Sequence, residues 1–204
     1  MSAEKNQMKQ EIQAAAAAHK QEFEKVSAYI FANPELAFTE VKGQQALCEL
    51  LENNGFAVTR GVGGISTSFE AVYDTGKPGK NIAFMAEYDA LPEIGHGCGH
   101  NIIGTSSAGA GVVLKEIMQK HDLGGVLKVI GTPAEERVGG KILMLREGVF
   151  KGLDAAMIMH PTDATIPDDI SFASVNIEYV FHGKPAHSAA FPWRGANALS
   201  GVIQ

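Results

Sequence analysis

The chain has 204 residues, of which 45% are hydrophobic, so it is long enough to bury a substantial core and has the composition of a globular protein. The net charge of −6 comes from 17 basic and 23 acidic residues mixed along the sequence. This mixture offers no basic stripe for nucleic acid, so we expect a small-molecule substrate or a protein partner.

The cysteine content and the N-terminal segment indicate a reduced, cytoplasmic protein. Cys48 and Cys98 are the only two cysteines, too few for the disulfide framework of a small secreted domain. The N-terminal segment is polar around a run of alanines and lacks the basic start and leucine-rich core of a signal peptide. Since no apolar stretch reaches the length of a membrane span, we expect no membrane partner.

The N-terminal region predicts two helices in succession. Residues from about Glu4 to Asn33 are rich in Ala, Glu, Lys and Gln, which favour a helix, and the segment Asn33-Pro34-Glu35 ends it. The second helix is predicted near Thr39 to Asn54, where apolar residues form one stripe and Gly55 follows as a stop. Cys48 lies in this helix, and we expect it to pack in the core.

Predicted strands and helices alternate through the middle of the chain. The runs STSFEAVYD and NIAFMAEYDA, separated by TGKPGK, predict two neighbouring strands. A helix is predicted from Ile102 to Lys120, followed by the buried strand GVLKVIGTPAEE. A further helix around Gly140 to Glu147 precedes the apolar strand DAAMIMHP. This alternation predicts an α/β three-layer sandwich with a mostly parallel mixed sheet.

The acidic, proline-containing connector ATIPDD, at Ala164–Asp169, is the predicted domain boundary. Residues 1–167 would form the N-terminal part of the main domain, and residues 168–204 would begin a second one. In this second segment SFASVNIEYVF alternates apolar and polar residues as a strand does, GKP indicates a turn, and a helix is predicted from about Gly195.

Side chains suited to metal binding or acid-base chemistry follow the predicted strands. In open α/β sheets the carboxyl ends of parallel strands meet at one edge, so these side chains are expected to converge. Thiolate, imidazole and carboxylate together are the ligands of zinc and similar divalent ions. A lone Cys-x-His pair fits no zinc finger and is a weak signal, so the interpretation depends on the convergence. The residues concerned are Glu87, Asp89, Cys98, His100, Glu135, Glu136 and His160.

The residues alone leave two interpretations open at Glu135 and Glu136. Adjacent side chains do not readily point the same way, so one carboxylate is able to ligate a metal while the other takes a proton from water. The alternative is a solvated pair at a helix N-terminus, stabilised by the helix dipole. Similarly, His160 is either a ligand or an ordinary loop histidine. His187 is too far along the chain to be placed from the residues alone, and its simplest interpretation is a histidine in a surface turn.

Five segments, in order and spacing, resemble a known enzyme family. They resemble the di-metal amidohydrolases that include aminoacylase, the auxin-conjugate hydrolases and p-aminobenzoyl-glutamate hydrolase. The stretch EYDALPEIGHGCGHN is most similar to the branch with aminobenzoyl-glutamate hydrolase and dipeptidase-like members. The segments are NPELAFTEVKGQQALCELLENNGF, AEYDALPEIGHGCGHN, GTPAEERVGGKILMLREGVF, DAAMIMHP and GKPAHSAAFPWRGANAL.

The resemblance implies a fold, a cofactor and a reaction. The fold is zinc-peptidase-like, with the start of a small α+β lid or dimerisation domain through which the full-length protein forms a homodimer. Two divalent ions, Zn, Mn or Co, would hold the hydroxide that attacks the amide bond of an N-acyl amino acid, aminobenzoyl-glutamate or a dipeptide. Glu135 would be the general base, Asp89 would orient a ligand, and His187 would polarise the scissile carbonyl. The metal ligands implied are Cys98, His100, Glu136 and His160.

Three departures from the family pattern bear on these expectations. Glu87 replaces the commoner aspartate or histidine, so it is either a ligand or a neighbour of one. Asn101 stands where many relatives have aspartate after Cys-Gly-His, which would alter affinity more than mechanism. Relatives also continue beyond the equivalent of Gln204 to a final histidine ligand, so we expect weakened metal binding and little activity from this chain alone.

Two other functions remain open from the sequence. The first is a thiol hydrolase with Cys98 as nucleophile and His96 or His100 as base. It leaves the paired glutamates and His160 without a role. The second is a non-catalytic binding or regulatory module that keeps the fold.

Overall fold

The computed structural model describes residues 3–167, 173, 175 and 177–204. The chain divides into two compact units, Met1–Asp163 and Ala164–Gln204, and each is described by itself. The assignment of residues 1–167 to a catalytic domain and of residues 168–204 to a lid stays a prediction.

Helices and strands alternate along most of the first unit. The helices predicted near Thr39–Asn54, Ile102–Lys120 and Gly140–Glu147 are confirmed to within two residues at each end. Within the described ranges, no helix combines the length and the apolar character needed to cross a membrane. The helices are α1 Ala3–Ala18, α2 Lys20–Ala32, α3 Val41–Asn53, α4 His100–Lys120, α5 Glu135–Val138 and α6 Gly140–Arg146. The strands are β1 Ala57–Arg60, β2 Phe69–Asp74, β3 Lys80–Ala86, β4 Gly125–Gly131 and β5 Ala155–Met157.

The N-terminal region forms two helices where the sequence predicted one as far as Asn33. The break occurs at His19, whose ring nitrogens lie 3.0 Å from a carboxylate oxygen of Glu22 and 2.6 Å from one of Glu116 in α4. These contacts fix the chain against α4 at this point, so tertiary structure overrides the strong helix propensity of the alanine-rich sequence.

The predicted α/β fold with a mixed sheet is confirmed. The five strands lie in the order β1-β2-β4-β3-β5. β1 with β2 and β2 with β4 are antiparallel, whereas β3 with β4 and β3 with β5 are parallel. The prediction that STSFEAVYD and NIAFMAEYDA are neighbouring strands is wrong, because β4 lies between β2 and β3. Its apolar sequence is buried on both faces, which suits a central strand.

Helices cover both faces of the sheet, as a three-layer sandwich requires. Alternate side chains of a strand point to opposite faces. In β4, Leu127 and Val129 lie in a larger core with residues of α2, α3 and α4, whereas Ile130 lies in a smaller core with Met144 of α6. Cys48 is fully buried in the larger core, as predicted. Each buried aliphatic side chain contributes roughly 1.5–3 kcal/mol, so the sheet is a firm support for the loops at its edge.

The second unit is described over fewer residues. It contains a short helix, α7 Ala198–Ile203, capped by the side chain of Asn197, whose Oδ1 accepts a hydrogen bond from the Leu199 N–H at 3.0 Å. This helix begins close to the predicted start near Gly195. The strand predicted at SFASVNIEYVF falls partly on residues 171, 172, 174 and 176, which lie outside the described ranges, and the neighbouring residues 177–180 have no regular secondary structure.

Candidate metal centre

Three parallel strands end at one edge of the sheet. β3 and β4 are paired in register up to their last residues, Ala86 and Gly131, and β5 lies parallel to β3 on its other side. Glu87 follows β3 directly, Glu135 opens α5 after β4, and His160 follows β5. Because parallel strands present their carboxyl ends at the same edge, the topology brings these segments together as the sequence predicted.

Two groups of three side chains are placed to hold a metal ion. Within each group, the three ligand atoms lie within 4.8 Å of one another. Glu87, His100 and His160 form one group, and Cys98, His100 and Glu136 form the other. His100 belongs to both, so the two groups adjoin at its ring. The four residues predicted as metal ligands are all present, and Glu87 joins them.

The centre of this cluster is buried and short of hydrogen bonds. His100 is 1% exposed and Glu87 is 3% exposed. The His100 Nε2 lies 3.5 Å from Glu87 Oε2 and 3.5 Å from Glu136 Oε1. Within the described residues, neither His100 Nε2 nor Glu87 Oε2 has a hydrogen-bond partner. Unsatisfied buried polar atoms are costly, and a cation would satisfy both of these, so the donor set fits a divalent metal ion.

Asp89 connects two of the potential ligands. Its Oδ1 lies 3.0 Å from His100 Nδ1, and its Oδ2 accepts a hydrogen bond from the Glu136 N–H at 3.0 Å. Burial alone would raise the pKa of Asp89, but the hydrogen bonds from His100 and from the Glu136 backbone lower it below its usual value. Burial alone would lower the pKa of His100, but Asp89 and the nearby glutamates raise it. An ionised Asp89 therefore fixes the His100 ring with Nδ1 as donor and Nε2 facing the cluster.

A tight turn brings Cys98 to the start of α4. Gly99, between Cys98 and His100, has φ 76°, and a Cβ atom at this position would lie 3.0 Å from Pro161 Cγ. Both the left-handed backbone and the close approach of Pro161 favour glycine. The backbone conformation and the close contact with Pro161 therefore explain why position 99 is a glycine.

The thiol of Cys98 has the opposite environment to that of an activated nucleophile. A hydrogen bond to the Glu136 carboxylate, together with burial, raises the pKa of Cys98 to about 11. Nucleophilic cysteines have lowered pKa values and lie beside cationic groups. An acidic neighbour suits a thiol that ionises only when a cation is bound.

Glu135 and Glu136 differ in their surroundings, and the division of roles expected between them stays a prediction. Glu136 belongs to a ligand group, whereas the groups found among the described residues do not include Glu135. Glu135 is half-buried at the start of α5, and burial, followed by the charge of Glu87, raises its pKa. A carboxylate with a raised pKa beside a metal site is suited to accept and return a proton.

Two further side chains at this edge had no role in the metal-hydrolase interpretation of the sequence. Lys141 of α6 forms an ion pair with Glu87. A lysine in a short helix is ordinarily solvent-exposed, so only the tertiary structure shows this contact. His96 is 8% exposed and stacks on Phe31, and neither of its ring nitrogens has a hydrogen-bond partner among the described side chains. From the sequence, His96 was a candidate base only in the thiol-hydrolase alternative, and otherwise a loop residue or a neighbour of the ligands.

His187 lies in the second unit and is exposed. Its Nδ1 accepts a hydrogen bond from the backbone N–H of Ala190 at 3.0 Å, so the ring closes its own turn. This is the local structure of the surface turn histidine considered above. The predicted catalytic role of His187 stays a prediction.

The sequence pattern of the Peptidase family M20/M25/M40 matches residues 83–200, which is more than half of the chain. The matched segment contains both ligand groups. The chain belongs to this family. This membership confirms the family resemblance that the sequence indicated.

Curated relatives from the M20 family cover most of this chain. It is 36% identical over 203 residues to one of the p-aminobenzoyl-glutamate hydrolase subunits from Escherichia coli, a match that spans 91% of this chain and 42% of the relative. It is 35% identical to the mouse Xaa-Arg dipeptidase, over 87% of this chain and 44% of the relative. The chain therefore spans less than half the length of these two relatives.

Solved structures show the same fold. A Bacillus subtilis protein described as a dinuclear metal binding peptidase from the M20 family matches with a TM-score of 0.61 and 25% identity, over 69% of this chain and 42% of that protein. An aminobenzoyl-glutamate utilization protein from Klebsiella pneumoniae matches with a TM-score of 0.57 and 19% identity, over 71% of this chain and 44% of that protein. The second likeness supports the fold alone.

Proposed function

We propose that this chain carries the metal centre of an amidohydrolase that cleaves the amide bond of an N-acyl amino acid, aminobenzoyl-glutamate or a dipeptide. The observation that carries the proposal is the cluster around the buried His100, where two ligand groups of thiol, imidazole and carboxylate meet and two buried polar atoms lack partners among the described residues. The relatives support the substrate class, because one is named as a hydrolase of aminobenzoyl-glutamate and another as a dipeptidase.

The proposed cofactor is a pair of divalent ions, Zn, Mn or Co. Cys98, His100 and Glu136 would hold one ion. Glu87 and His160 would contribute donors to a second, since the single free nitrogen of His100 binds one ion at a time. Ions of this kind polarise a substrate carbonyl and lower the pKa of water. The B. subtilis neighbour, described as dinuclear, supports this number.

The protein side chains would divide the remaining work. Glu135 would accept a proton from the attacking water and return it to the leaving amine nitrogen. Asp89 would hold His100 and the backbone of Glu136 in place. In a homodimer, His187 of one subunit would stabilise negative charge on the carbonyl oxygen of a substrate bound by the other subunit. We place this enzyme in the cytoplasm.

A cavity adjoins the proposed centre and offers space for a small substrate. Its volume is about 480 Å³, and it is lined by Cys98 and His160 as well as by Phe31 and His96. The aromatic ring and the imidazole give it apolar and polar walls, as small-molecule sites have. The proposal therefore includes a small-molecule substrate. On the grounds of charge and hydropathy along the sequence, it includes no nucleic-acid or membrane partner.

The test is a metal count combined with alkylation of the cysteines. Metal-free chain is titrated with Zn²⁺, Mn²⁺ and Co²⁺, and we expect stoichiometric binding that slows alkylation of Cys98 by iodoacetamide. Cys48, which is fully buried, provides an internal control that stays unreactive while the chain is folded. Failure to bind any of the ions, or unchanged alkylation of Cys98 at saturation, would contradict the proposal.

Turnover separates this function from its two rivals. Aminobenzoyl-glutamate, dipeptides and N-acyl amino acids are offered to the full-length protein with added metal, with chelator and after alkylation at saturating metal. A thiol hydrolase would lose activity on alkylation and keep it in chelator, contrary to our expectation. The raised pKa of Cys98 beside Glu136 already opposes that rival. A protein that binds metal without hydrolysing any member of the panel would support a binding module.

We expect Lys141→Met to strengthen metal binding while destabilising the metal-free chain. The Lys141 ammonium neutralises the buried Glu87 carboxylate, so it competes with a cation at this position. Loss of the ammonium should destabilise the metal-free form by about 1.4 kcal/mol, which is less than for a fully buried pair because Lys141 is partly exposed. Since the metal-bound form does not need the ammonium, the same free energy should raise the metal affinity about tenfold. Calorimetric metal titration and thermal unfolding measure both effects.

The matched control for this prediction is Lys128→Met. Lys128 of β4 pairs with Glu70 of β2 at 2.7 Å, and its side chain is comparably exposed, 22% against 28% for Lys141. This control should lower stability without changing the metal affinity. Weaker metal binding by Lys141→Met would show that the ammonium supports the site, contrary to the prediction.

A further inference from the structure

A buried carboxylate outside both ligand groups contacts the turn that precedes Glu135. Glu40, the residue before α3, is fully buried. Its Oε1 accepts a hydrogen bond from the Ala134 N–H at 2.8 Å, across 94 positions of sequence. Its Oε2 has no hydrogen-bond partner within the described residues. Through Oε1, Glu40 thus links the start of α3 to the residue that precedes α5.

Ala134 has an unfavourable backbone conformation that needs support. Its φ is 59° and its ψ is 37°, in the left-handed region that a residue with a Cβ atom rarely adopts. This conformation costs about 1–2 kcal/mol. Its carbonyl oxygen accepts a hydrogen bond from the Gly140 N–H at 3.1 Å, so Glu40 on one side and Gly140 on the other hold both polar groups of the strained residue.

The direction of two proposed site residues depends on this turn. Ala134 is the N-cap of α5, and Glu135 and Glu136 are the first two residues of that helix. A rotation of the Ala134 backbone would move both carboxylates together. The Glu136 carboxylate lies 3.5 Å from His100, so even a small displacement would change the distances within the second ligand group.

Burying a carboxylate at this position costs free energy, which indicates that its acceptor oxygen is needed there. An apolar side chain of similar size would fill the same space without a buried, half-satisfied charge. Burial raises the pKa of the Glu40 carboxyl, and hydrogen bonds that include the one from Ala134 oppose this shift. In its ionised form the carboxylate makes a hydrogen bond about twice as strong as a neutral acceptor does, and the N-terminus of the 13-residue α3 stabilises its negative charge. The contact therefore fits a strained backbone that must be held firmly.

We propose that Glu40 is a positioning residue of this site: through its hydrogen bond to the Ala134 backbone, it sets the direction of Glu136 toward the metal and of Glu135 toward the substrate. The inference rests on the proposed function, in which Glu136 is a ligand and Glu135 the base. Glu40 touches neither metal nor substrate, so its effect passes entirely through the turn.

The experiment compares two substitutions of similar size. Glu40→Met removes the acceptor and fills the space, whereas Glu40→Gln keeps a carbonyl oxygen able to accept from Ala134. Metal titration by calorimetry should show roughly 10- to 100-fold weaker binding for Glu40→Met, the range expected when a group that orients a ligand is lost. Glu40→Gln should retain most of the affinity of the unsubstituted chain.

The control is Glu35→Ala. The Glu35 carboxylate accepts hydrogen bonds from the backbone N–H groups of Lys42 and Gly43, at 2.7 and 3.1 Å, so it stabilises the start of the same helix α3. Glu35→Ala should lower the thermal stability and leave the metal affinity unchanged. This separates loss of helix stability from loss of the contact with Ala134.

Each outcome decides the proposal. Equal metal affinity of Glu40→Met and the unsubstituted chain, or an equally large loss in Glu35→Ala, overturns the positioning role. If Glu40→Met does not fold, Glu40→Asp keeps the charge but shortens its reach to Ala134, and binding as tight as that of Glu40→Gln overturns the role. Absence of metal binding by the unsubstituted chain overturns the proposed function itself, and the two failures are thereby distinguished.

Discussion

Replacing Glu135 by glutamine is expected to lower kcat by roughly 10³-fold while leaving metal binding intact, since general base catalysis contributes about 10²–10⁴-fold. Glutamine has nearly the same shape but does not accept a proton at neutral pH. Glu135 stands outside the two ligand groups found among the described residues, so the charge that it loses is not needed to hold the ions. Steady-state kinetics of the full-length protein on the best substrate of the panel and a metal count on the same sample test both parts.

Two matched variants show whether the effect belongs to Glu135. Glu136→Gln removes a carboxylate that lies 3.5 Å from His100 Nε2, so it should weaken metal binding as well as turnover. Glu147→Gln changes an exposed glutamate after the end of α6 and should alter neither. Turnover retained by Glu135→Gln would exclude it as the base, and loss of metal from that variant would make it a ligand.

The convergence of the site residues was predictable because it follows from the order of elements. Strand ends carrying Glu87, Glu135 and His160 meet wherever their strands are parallel and adjacent, and β4, β3 and β5 are. The family resemblance then supplied roles that topology does not give. Neither the order of the elements nor the family resemblance requires knowledge of side-chain contacts between distant segments.

The supporting contacts were not predictable, because they join segments that are far apart in the chain. Glu40 and Ala134 are 94 positions apart, and Lys141 and Glu87 are 54 positions apart. No local pattern shows that a glutamate before a helix accepts from a strained backbone, or that a helical lysine neutralises a buried carboxylate. The two errors in the fold have the same origin: α4 interrupts the N-terminal helix at His19, and β4 separates β2 from β3.

Asp89→Asn is expected to weaken metal binding by roughly 10- to 100-fold, because it disturbs two ligands at once. Asp89 accepts hydrogen bonds from both His100 Nδ1 and the Glu136 N–H. An asparagine side chain has one oxygen, so one partner must face its NH₂ group. If that partner is His100, the proton moves to Nε2 and blocks the lone pair needed for a metal. If it is Glu136, two donors face each other and the turn is displaced.

The pH dependence of metal binding provides a second measurement for Asp89→Asn. The substitution should weaken binding at neutral pH but allow binding to persist to lower pH. Metal must displace the proton from His100, so binding is lost as the pH falls through the pKa of that imidazole, which Asp89 raises in the metal-free chain. Without the Asp89 charge this pKa falls, so binding should persist to lower pH although it is weaker at neutral pH. Asp74→Asn, at an exposed turn where Oδ1 accepts from Gly76 N–H at 2.8 Å, should change neither the affinity nor its pH midpoint. A loss of affinity in Asp89→Asn without a shift of the midpoint would mean that Asp89 acts through the fold of the turn and not through the imidazole.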